Sequence, residues 1–443
     1  MAKYTKEDIM TLIEEEDIRF IRLQFTDIFG FVKNVAITPS QIEKAMNNSV
    51  IFDGSAIDGF ARIEESDMYL VPDLDSFVVF PWRPHTGQVA RLICDVIRPD
   101  GTEYEGNPRY VLKRELEKAR KLGFEFNVGP ECEFFLFNTD ERGEPVLELN
   151  DRGGYFDVAP IDNGENCRRE ICMTLEDMGY EIETSHHEVA NGQHEIDFKY
   201  DEALLTADRI MTFKMVVKTI AKRNGLHATF MPKPLYGVNG SGMHINMSLF
   251  RNGKNVFADE KDPQRLSDTA YHFIAGILKY AREMACITNP TVNSYKRIIP
   301  GYEAPNYIAW SEGNRSLLLR IPSERGDRTR IELRSPDATA NPYLALAACL
   351  KAGLYGVEKE LVPPPSTDLN LLNLTQAERD IMGIKNLPIS LREATAIAEK
   401  SDFVRELLGV GLMRTYLEAK NDEYERYRTK VSSWEVEEYL LRY

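Results

Sequence analysis

Long apolar runs are missing from this 443-residue sequence, and no segment approaches the length that a membrane-spanning helix needs. The first residues, MAKYTKEDIMTLIEEEDIRF, interleave charges among apolar residues and lack the central apolar stretch of a signal peptide. We therefore expect no signal peptide and no membrane partner.

Cysteine is also scarce. The six cysteines are scattered along the chain and form no C-x-x-C pair. Dense or paired cysteines are typical of disulfide-rich secreted proteins or of metal and redox sites. Their absence predicts reduced thiols in a cytoplasmic protein, and we interpret the six as small buried apolar residues.

Positive charge is in deficit, since 54 Lys and Arg face 70 Asp and Glu for a net charge of -16. Such an acidic chain disfavours nucleic acid as a direct partner, whereas an enzyme that handles metal-bound phosphates is still allowed. A hydrophobic fraction of 43% is that of a globular protein with a large core. The length suggests two or three unequal domain-sized units.

The first part of the chain is rich in predicted strands. A short helix is expected at 5–16, where Thr5 and Asp8 form a capping-box pattern. The segments IRFIRLQFTDIFGFVKNVAI, SFVVFPW and QVARLICDVI then alternate apolar and polar residues, which predicts a small mixed sheet. We place a domain boundary in the stretch RPDGTEYEGNPR, which is rich in glycine, proline and charge.

Beyond that boundary, predicted helices alternate with strands that carry polar residues at every second position. This order predicts an α+β catalytic domain with a mainly antiparallel sheet. Residues 362–370 (VPPPSTDLN) are expected to form a loop. The predicted helices are 108–122, 164–178, 201–224, 263–288 and 341–358.

Glu131 and Glu133 lie in the strand-like segment VGPECEFFLF. The two-residue period of a strand puts both side chains on one face. Two buried carboxylates side by side repel each other, so they need a cation between them, a proton or another partner. From this segment alone, ordinary edge-strand glutamates are an equally good interpretation.

Other segments offer further carboxylates and imidazoles. ETSHHEVANGQHEIDF supplies Glu183, Glu188 and Glu195 near His186, His187 and His194. NGSGMHINMSLF puts three polar side chains on one strand face: His244, Asn246 and Ser248. RTRIELRSPD likewise puts four charged side chains on one strand face: Arg328, Arg330, Glu332 and Arg334. Several strands therefore each present metal-ligating or charged groups from one face.

Ligand sets dominated by oxygen with one imidazole suit Mg²⁺ or Mn²⁺. A cavity rich in glutamate tolerates many guanidinium groups when an anion with many oxygens also enters it. The pattern favours a nucleotide triphosphate and a carboxylate as substrates, although any one arginine alone is more simply a structural ion pair. The candidate arginines are Arg297, Arg315, Arg320, Arg330 and Arg334.

Six motifs together resemble bacterial type I glutamine synthetase: FDGSAIDGF, GPECEFFLF, HHEVANGQHEIDF, KPLYGVNGSGMHINMSLF, NPTVNSYKRIIPGYEAP and NRSLLLRIP. The resemblance extends over essentially the whole chain. Because its motifs are long and keep their order, it is far more specific than a single glycine-rich pattern.

The resemblance implies an N-terminal β-grasp domain at 1–104 and a catalytic domain at 105–443, whose curved sheet is flanked by helices. It implies a dodecamer of two stacked hexamers with active sites between subunits. The implied activity joins ammonia to L-glutamate through a γ-glutamyl phosphate, giving L-glutamine, ADP and phosphate. Two or three Mg²⁺ or Mn²⁺ ions per site would assist ATP.

The resemblance also implies a role for each group of site residues. One metal ion would be held by Glu133, Glu188 and Glu195, and the other by Glu131, His244 and Glu332. Contacts to ATP would come from Glu183, Ser248, Arg315, Arg320 and Arg330. Contacts to glutamate would come from Asn239, Gly240, Arg297, Glu303, Arg315 and Arg334.

Catalysis is expected to involve Asp53 and Glu303 together with Arg315. Asp53, from a neighbouring subunit, would bind ammonium and accept its proton. Glu303, in IIPGYEAP, resembles the family's flap residue, which completes the ammonium pocket and shields the acyl phosphate from water. One departure from the family pattern lies beside Asp53, where Ala56 replaces a more frequent serine.

Regulation is expected to differ from that of adenylylated relatives, because Leu371 and Leu372 occupy the segment where those carry a modifiable tyrosine. Arg62 resembles the arginine through which the short, Gram-positive branch senses glutamine, so we expect feedback inhibition. An ordinary ion pair with Glu64 or Glu65 is the alternative. The resemblance further suggests binding of nitrogen-responsive transcription regulators.

Two other functions compete with this one. A γ-glutamyl amine or polyamine ligase shares the metals and the acyl phosphate but accepts a larger amine; Asp53 and Glu303 favour ammonium because they form a small anionic pocket. The second is a catalytically silent, regulator-binding ring. Retention of all six proposed metal ligands argues against it, since unused buried carboxylates are costly.

Overall fold

The computed structural model describes residues 3–57, 66–83, 86–301 and 304–443. Arg62 and Glu303, which the sequence singles out for feedback and catalysis, lie outside the described residues. Within the described ranges, no helix is both long and apolar enough to cross a membrane.

A small mixed sheet forms near the N-terminus, as predicted. Its strands lie in the order β2-β1-β5-β4-β3. β1 and β5 run parallel, whereas the other neighbours are antiparallel. The strands are β1 (Ile18–Thr26), β2 (Val32–Ile37), β3 (Val50–Asp53), β4 (Asp67–Val79) and β5 (Gln88–Ile97).

Two helices, α1 (Lys6–Glu15) and α2 (Ile42–Met46), pack with this sheet. The predicted start of α1 is confirmed, because Thr5 and Asp8 form a capping box in which each side chain accepts a hydrogen bond from the other's backbone N–H. Ile9 of α1 is fully buried in the core of this unit. The first sheet thus has a hydrophobic core of its own.

The second sheet is larger and mainly antiparallel. Its strands lie in the order β17-β14-β15-β16-β12-β6-β9-β8, and further short strands pair with β6 and β12. The strands are β6 (Glu125–Thr139), β7 (Pro145–Leu149), β8 (Ile182–His187), β9 (Gln193–Phe198), β10 (Asp201–Glu202), β11 (Leu226–Thr229), β12 (Met243–Arg251), β13 (Lys254–Asn255), β14 (Tyr307–Ser311), β15 (Leu317–Arg320), β16 (Ile331–Leu333) and β17 (Lys385–Asn386).

Helices flank the second sheet and supply much of the main core. They are α3 (Pro108–Lys121), α4 (Glu165–Asp177), α5 (Ala203–Arg223), α6 (Asp268–Thr288), α7 (Ser294–Arg297), α8 (Pro342–Glu358), α9 (Gln376–Ile381), α10 (Leu391–Glu399), α11 (Asp402–Arg428) and α12 (Ser433–Tyr439). This arrangement confirms the predicted α+β class, and 362–370 is a loop as expected.

Four of the five predicted longer helices begin and end within two residues of the prediction, but α6 begins five residues late, at 268 rather than 263. Ser267 caps α6, because its side chain accepts a hydrogen bond from the backbone N–H of Ala270. Leu266, just before the cap, pairs with Ala258 in an isolated β-bridge. Tertiary pairing therefore holds 263–267 out of the helix.

The alternation of β6 separates the core from the polar face. Phe134 is fully buried and its ring contacts that of Phe213 on α5, with centroids 6.4 Å apart. Glu131 and Glu133 have the opposite parity, so they project from the sheet face turned away from α5.

Candidate active site

Strand register brings the predicted carboxylates of separate segments together. Glu131 on β6 lies opposite His244 on β12 and opposite Asp197 on β9. Glu133 lies opposite Glu195 on β9. Because β6 lies between these two strands, one sheet face collects carboxylates from β6 and β9 and an imidazole from β12.

A first candidate metal group consists of Glu131, His244 and Glu332, each of which offers a ligand atom within 4.8 Å of the others. His244 Nδ1 lies 3.0 Å from a Glu131 oxygen and 3.7 Å from a Glu332 oxygen. The second Glu131 oxygen accepts a hydrogen bond from the Asn246 amide at 2.9 Å.

A second candidate metal group consists of His186, Glu188 and Glu195, also within 4.8 Å of one another. His186 Nε2 lies 3.0 Å from Glu188 Oε1 and 3.5 Å from Glu195 Oε1. Sequence reasoning noted His186 but did not assign it to a metal. The proximity of His186 to Glu195 arises from pairing between β8 and β9, which the pattern of a single strand does not show.

Glu133 belongs to neither group by distance. One of its oxygens accepts hydrogen bonds from the Gly242 N–H at 2.8 Å and the Gln193 amide at 3.1 Å. Its other oxygen lies 4.0 Å from His244 Nε2. Glu133 therefore links the two groups, and its free oxygen is turned toward the first.

The electrostatics of this face show uncompensated repulsion. Burial and neighbouring carboxylates raise the pKa of Glu195 well above its usual value, and they raise that of Asp197 to about 7. Burial likewise raises the pKa of Glu133. Burial opposes the charged form of Glu131 too, but hydrogen bonds from His244 and Asn246 lower its pKa to about 2. Divalent cations relieve such repulsion, and this set of oxygens and imidazoles fits hard ions.

Arginines close the site on its other side. Arg320 Nη1 donates to Glu332 at 2.8 Å, and Arg334 Nη1 donates to the second oxygen of the same carboxylate. Arg330 Nε donates to the side-chain oxygen of Asn246 at 3.2 Å. Arg315 is exposed at the cavity wall.

Two other arginines behave differently from the sequence interpretation. Arg297 is buried, and its guanidinium donates to the backbone carbonyls of Arg334, Ser335 and Pro336. Arg328 does not share a strand face with Glu332, because it lies in an exposed 3₁₀ turn before β16. There Arg328 forms an ion pair with Glu324, with 2.8 Å between the nitrogen and the carboxylate oxygen.

The remaining predicted residues lie around this centre or apart from it. Ser248 follows His244 on β12 and is buried, whereas Glu183 on β8 is exposed. The Gly240 carbonyl accepts a hydrogen bond from Gln193, and Asn239 precedes it in the same loop. Asp53 lies on the first sheet, exposed, where it accepts hydrogen bonds from Ser55.

A cavity of about 1140 Å³ opens over this sheet face. Its walls include members of both candidate metal groups and three of the candidate arginines. Asp197 also lines it, although sequence reasoning gave this residue no role. A cavity of this size accommodates a nucleotide together with a small amino acid.

Comparisons with known proteins show the family to which the chain belongs. The family model described as "Glutamine synthetase, beta-Grasp domain" matches residues 17–99, and "Glutamine synthetase, catalytic domain" matches residues 105–439. Glutamine synthetase of Clostridium saccharobutylicum is 60% identical over 443 residues, covering 100% of both chains. That of Staphylococcus aureus strain N315 is 56% identical over 441 residues, covering 99% of both.

Solved structures show the same architecture. "GmaS/ADP complex-Conformation 1" aligns with a TM-score of 0.89 at 32% identity, covering 98% of this chain and 99% of that one. The cryoEM structure of Plasmodium falciparum glutamine synthetase aligns with a TM-score of 0.87 at 25% identity, covering 99% of both.

Fold, site and comparisons together define an ATP-dependent ligase with a carboxylate-rich centre. The chain belongs to the glutamine synthetase family. It is a glutamate–ammonia ligase, whose substrates are glutamate, ammonia and ATP, and the family uses divalent metals and forms oligomers.

Proposed function

We propose that the ligation takes place in the cavity over the second sheet and proceeds through a γ-glutamyl phosphate. The observation that carries this proposal is the pair of candidate metal groups on one sheet face, with arginines at the rim. A carboxylate is a poor acylating agent until it is phosphorylated. This site combines the carboxylates that hold cations with the guanidinium groups that hold phosphate.

The proposed metal ligands are Glu131, His244 and Glu332 for one ion, and Glu133, Glu188 and Glu195 for the other, with His186 as a further candidate. Mg²⁺ and Mn²⁺ suit both sets, and a total of two or three ions per site is proposed. When bound, the ions supply neutralisation of phosphate charge during the transfer.

The substrates would contact groups around that centre. Glu183 and Ser248 would meet the nucleotide, while Arg315, Arg320 and Arg330 would neutralise its phosphates. Glutamate would be held by Asn239, Gly240, Arg297, Arg334 and Glu303. The structure supports a positioning role for Arg297, because its three backbone contacts brace the segment that contains Arg334.

A γ-carboxylate oxygen of glutamate attacks the γ-phosphorus of ATP, and ADP leaves with the electron pair of the broken bond. Asp53 accepts a proton from ammonium, and the ammonia attacks the acyl carbon. The carbon–oxygen bond then breaks, and the nitrogen gives up a second proton to the phosphate, which leaves with the oxygen that came from glutamate.

Transfer of that oxygen is the test. Glutamate labelled with ¹⁸O in its γ-carboxylate, turned over with ATP and ammonium, is expected to yield phosphate that contains one ¹⁸O atom. Phosphate without label would contradict an acyl phosphate. Glutamate labelled only in its α-carboxylate is the matched control and should leave the phosphate unlabelled.

The proposed assembly is a dodecamer of two stacked hexamers, in which each β-grasp domain completes a neighbour's site. The matched ranges 17–99 and 105–439 support domains at 1–104 and 105–443. Asp53 is exposed and is not among the residues that line its own subunit's cavity, which supports donation to a neighbour. Mixing inactive Asp53→Ala and Glu332→Ala subunits should restore part of the activity, whereas sites within one subunit would stay inactive.

Feedback inhibition by glutamine through Arg62 is the proposed regulation, together with binding of nitrogen-responsive transcription regulators. The absence of a tyrosine from 370–375 supports a mode of control other than adenylylation. Arg62→Ala should keep its activity and lose sensitivity to glutamine, and retained sensitivity would contradict this role.

All six cysteines are free thiols, which supports a cytoplasmic location.

A further inference from the structure

The hairpin of β8 and β9 has two polar faces. Glu195 and His186 lie opposite each other on the face of the candidate metal groups. One position along, His187 lies opposite His194 on the reverse face, and both are fully buried. Buried imidazoles require hydrogen-bond partners, and residues outside the hairpin supply several of them.

His187 bridges two acceptors. Its Nδ1 lies 2.7 Å from the backbone carbonyl of Glu188, and its Nε2 lies 3.0 Å from Asp151 Oδ1. A carbonyl and a carboxylate only accept hydrogen bonds, so both ring nitrogens carry protons. His187 and Asp151 therefore form a buried, hydrogen-bonded ion pair directly behind Glu188.

Asp151 also holds the far end of the loop at 188–192. The same Oδ1 atom accepts a hydrogen bond from the N–H of Gly192 at 2.8 Å. Gly192 has φ +65, and a side chain there would meet the Leu136 carbonyl at 3.1 Å. One carboxylate oxygen thus fastens the beginning of the loop, through His187, and its end, through Gly192.

These buried residues also have the composition of a metal site. Asp151, Asp162, His187 and His194 each offer a ligand atom, and these atoms lie within 4.8 Å of one another. Arg168 contacts the other two residues of the cluster. It pairs with Asp162 at 2.8 Å and donates to His194 Nδ1 at 2.9 Å. Hydrogen bonds and ion pairs thus join the members of the cluster to each other, while Asp151 Oδ2 and His194 Nε2 are buried without a hydrogen-bond partner among the described residues.

We propose that Asp151 and His187 are positioning residues that hold the Glu188 carboxylate in place for the metal and thereby raise metal affinity. Glu188 lies at the start of the loop that the pair fastens, and outer-shell partners of metal ligands commonly act in this way. The inference rests on the proposed role of Glu188 as a metal ligand. Neither residue touches substrate in this account.

Mn²⁺ binding to the full-length assembly tests this proposal, with free Mn²⁺ measured by electron paramagnetic resonance. Asp151→Ala and His187→Gln should each weaken one class of Mn²⁺ sites about 10-fold. The side chain of Asp151→Asn can still accept the hydrogen bond from Gly192, so this variant should weaken Mn²⁺ binding less. If Asp151→Ala does not fold, His187→Gln and Asp151→Asn carry the comparison, with thermal unfolding as the check on folding.

Two control variants separate the possible failures. Glu188→Ala should remove the same class of Mn²⁺ sites; if it does not, the proposed role of Glu188 is wrong. Asp162→Asn changes the same buried cluster without touching the loop at 188–192, so its Mn²⁺ affinity should stay close to wild type. Folded Asp151→Ala and His187→Gln proteins with wild-type Mn²⁺ affinity would overturn the positioning role.

Elemental analysis of dialysed protein addresses the metal alternative. We expect no ion that is tightly bound to the wild type and missing from both the Asp151 and the Asp162 variants. One equivalent of zinc or another transition metal in the wild type, absent from both variants, would overturn the proposal and make this cluster a metal site.

Discussion

Glu332 is the most deeply buried member of its candidate metal group, with 0% of its surface exposed. Arg320 and Arg334 donate to its two oxygens, which fixes the carboxylate against His244. Removal of its charge would take away a ligand and leave two arginines without a counter-charge.

We expect Glu332→Gln to lower kcat at least about 100-fold, because an amide replaces an anionic ligand at a charge-neutralising site. Steady-state assays at saturating Mg²⁺, ATP and glutamate measure this. Glu115→Gln is the matched control, since Glu115 is also buried and accepts from Arg114 and Lys118 but lies outside both metal groups. A Glu332→Gln enzyme with wild-type kcat would contradict the metal assignment.

Much of the site was predictable residue by residue, since alternation in a strand places Glu131 with Glu133, and His244 with Asn246. A local sequence pattern does not show which strands are neighbours in the sheet. That β6 lies between β12 and β9 is set by contacts between distant segments, and the sequence analysis predicted no strand order. His186 was left unassigned for this reason, because its proximity to Glu195 arises from pairing across a hairpin.

At the scale of elements, α6 and α8 approach so closely that only glycine fits between them. A Cβ atom at Gly276 would lie 2.1 Å from the carbonyl oxygen of Ala352, and one at Gly356 would lie 2.0 Å from that of His272. Backbone atoms cannot move aside as flexible side chains do. The pattern of small residues in these helices therefore sets how closely the helices pack.

Gly276→Ala is expected to destabilise the protein by about 3 kcal/mol, because the two helices must separate. The matched control is Gly411→Ala on α11, where a Cβ meets nothing within 4 Å. That change should be neutral or stabilise by up to about 1 kcal/mol, since alanine favours the helix. Urea unfolding of both variants measures the difference, and equal stabilities would refute the close-packing argument.

The helices predicted from the sequence lie close to their observed positions, whereas α10, α11 and the break within α11 were not predicted. Residues 402–428 are assigned as one helix, yet Gly409 inside it has φ 74 and ψ 162, which is not helical. A glycine within a helical pattern does not reveal whether the helix continues or kinks, because both are compatible with its freedom.

At the scale of the whole molecule, a buried arginine joins the first sheet to the helices of the second unit. Arg109 on α3 has 3% of its side chain exposed. It pairs with Asp73 on β4 at 2.6 Å, Asp95 on β5 at 2.8 Å and Asp208 on α5 at 2.9 Å. This junction fixes the β-grasp sheet relative to its own catalytic sheet.

The junction makes stability depend on pH. Burial works to raise the pKa of Asp95, but Arg109 and Lys113 outweigh it, so the pKa is lowered. In the unfolded chain the carboxyl has a pKa of about 3.9. The pair therefore stabilises the fold above that pH, and this stabilisation is lost as the pH falls through the lower, folded-state pKa.

We expect Asp95→Asn to cost about 2 kcal/mol near neutral pH, and less in acid, where the wild-type carboxyl is protonated as well. Urea midpoints of both proteins, compared near neutral pH and at acid pH values stepped down through the lowered folded-state pKa of Asp95, measure the change. A difference that stays constant into acid would contradict the proposed charge interaction.

Synthesis of glutamine from ammonium is the reaction to test first. The direct measurement is phosphate release from ATP with Mg²⁺ and glutamate, with ammonium, methylamine or putrescine compared as the second substrate, and with glutamine product quantified. We expect strong turnover with ammonium, one glutamine for each phosphate, and suppression when glutamine is added. Turnover only with the larger amines, or none with any amine, would contradict it.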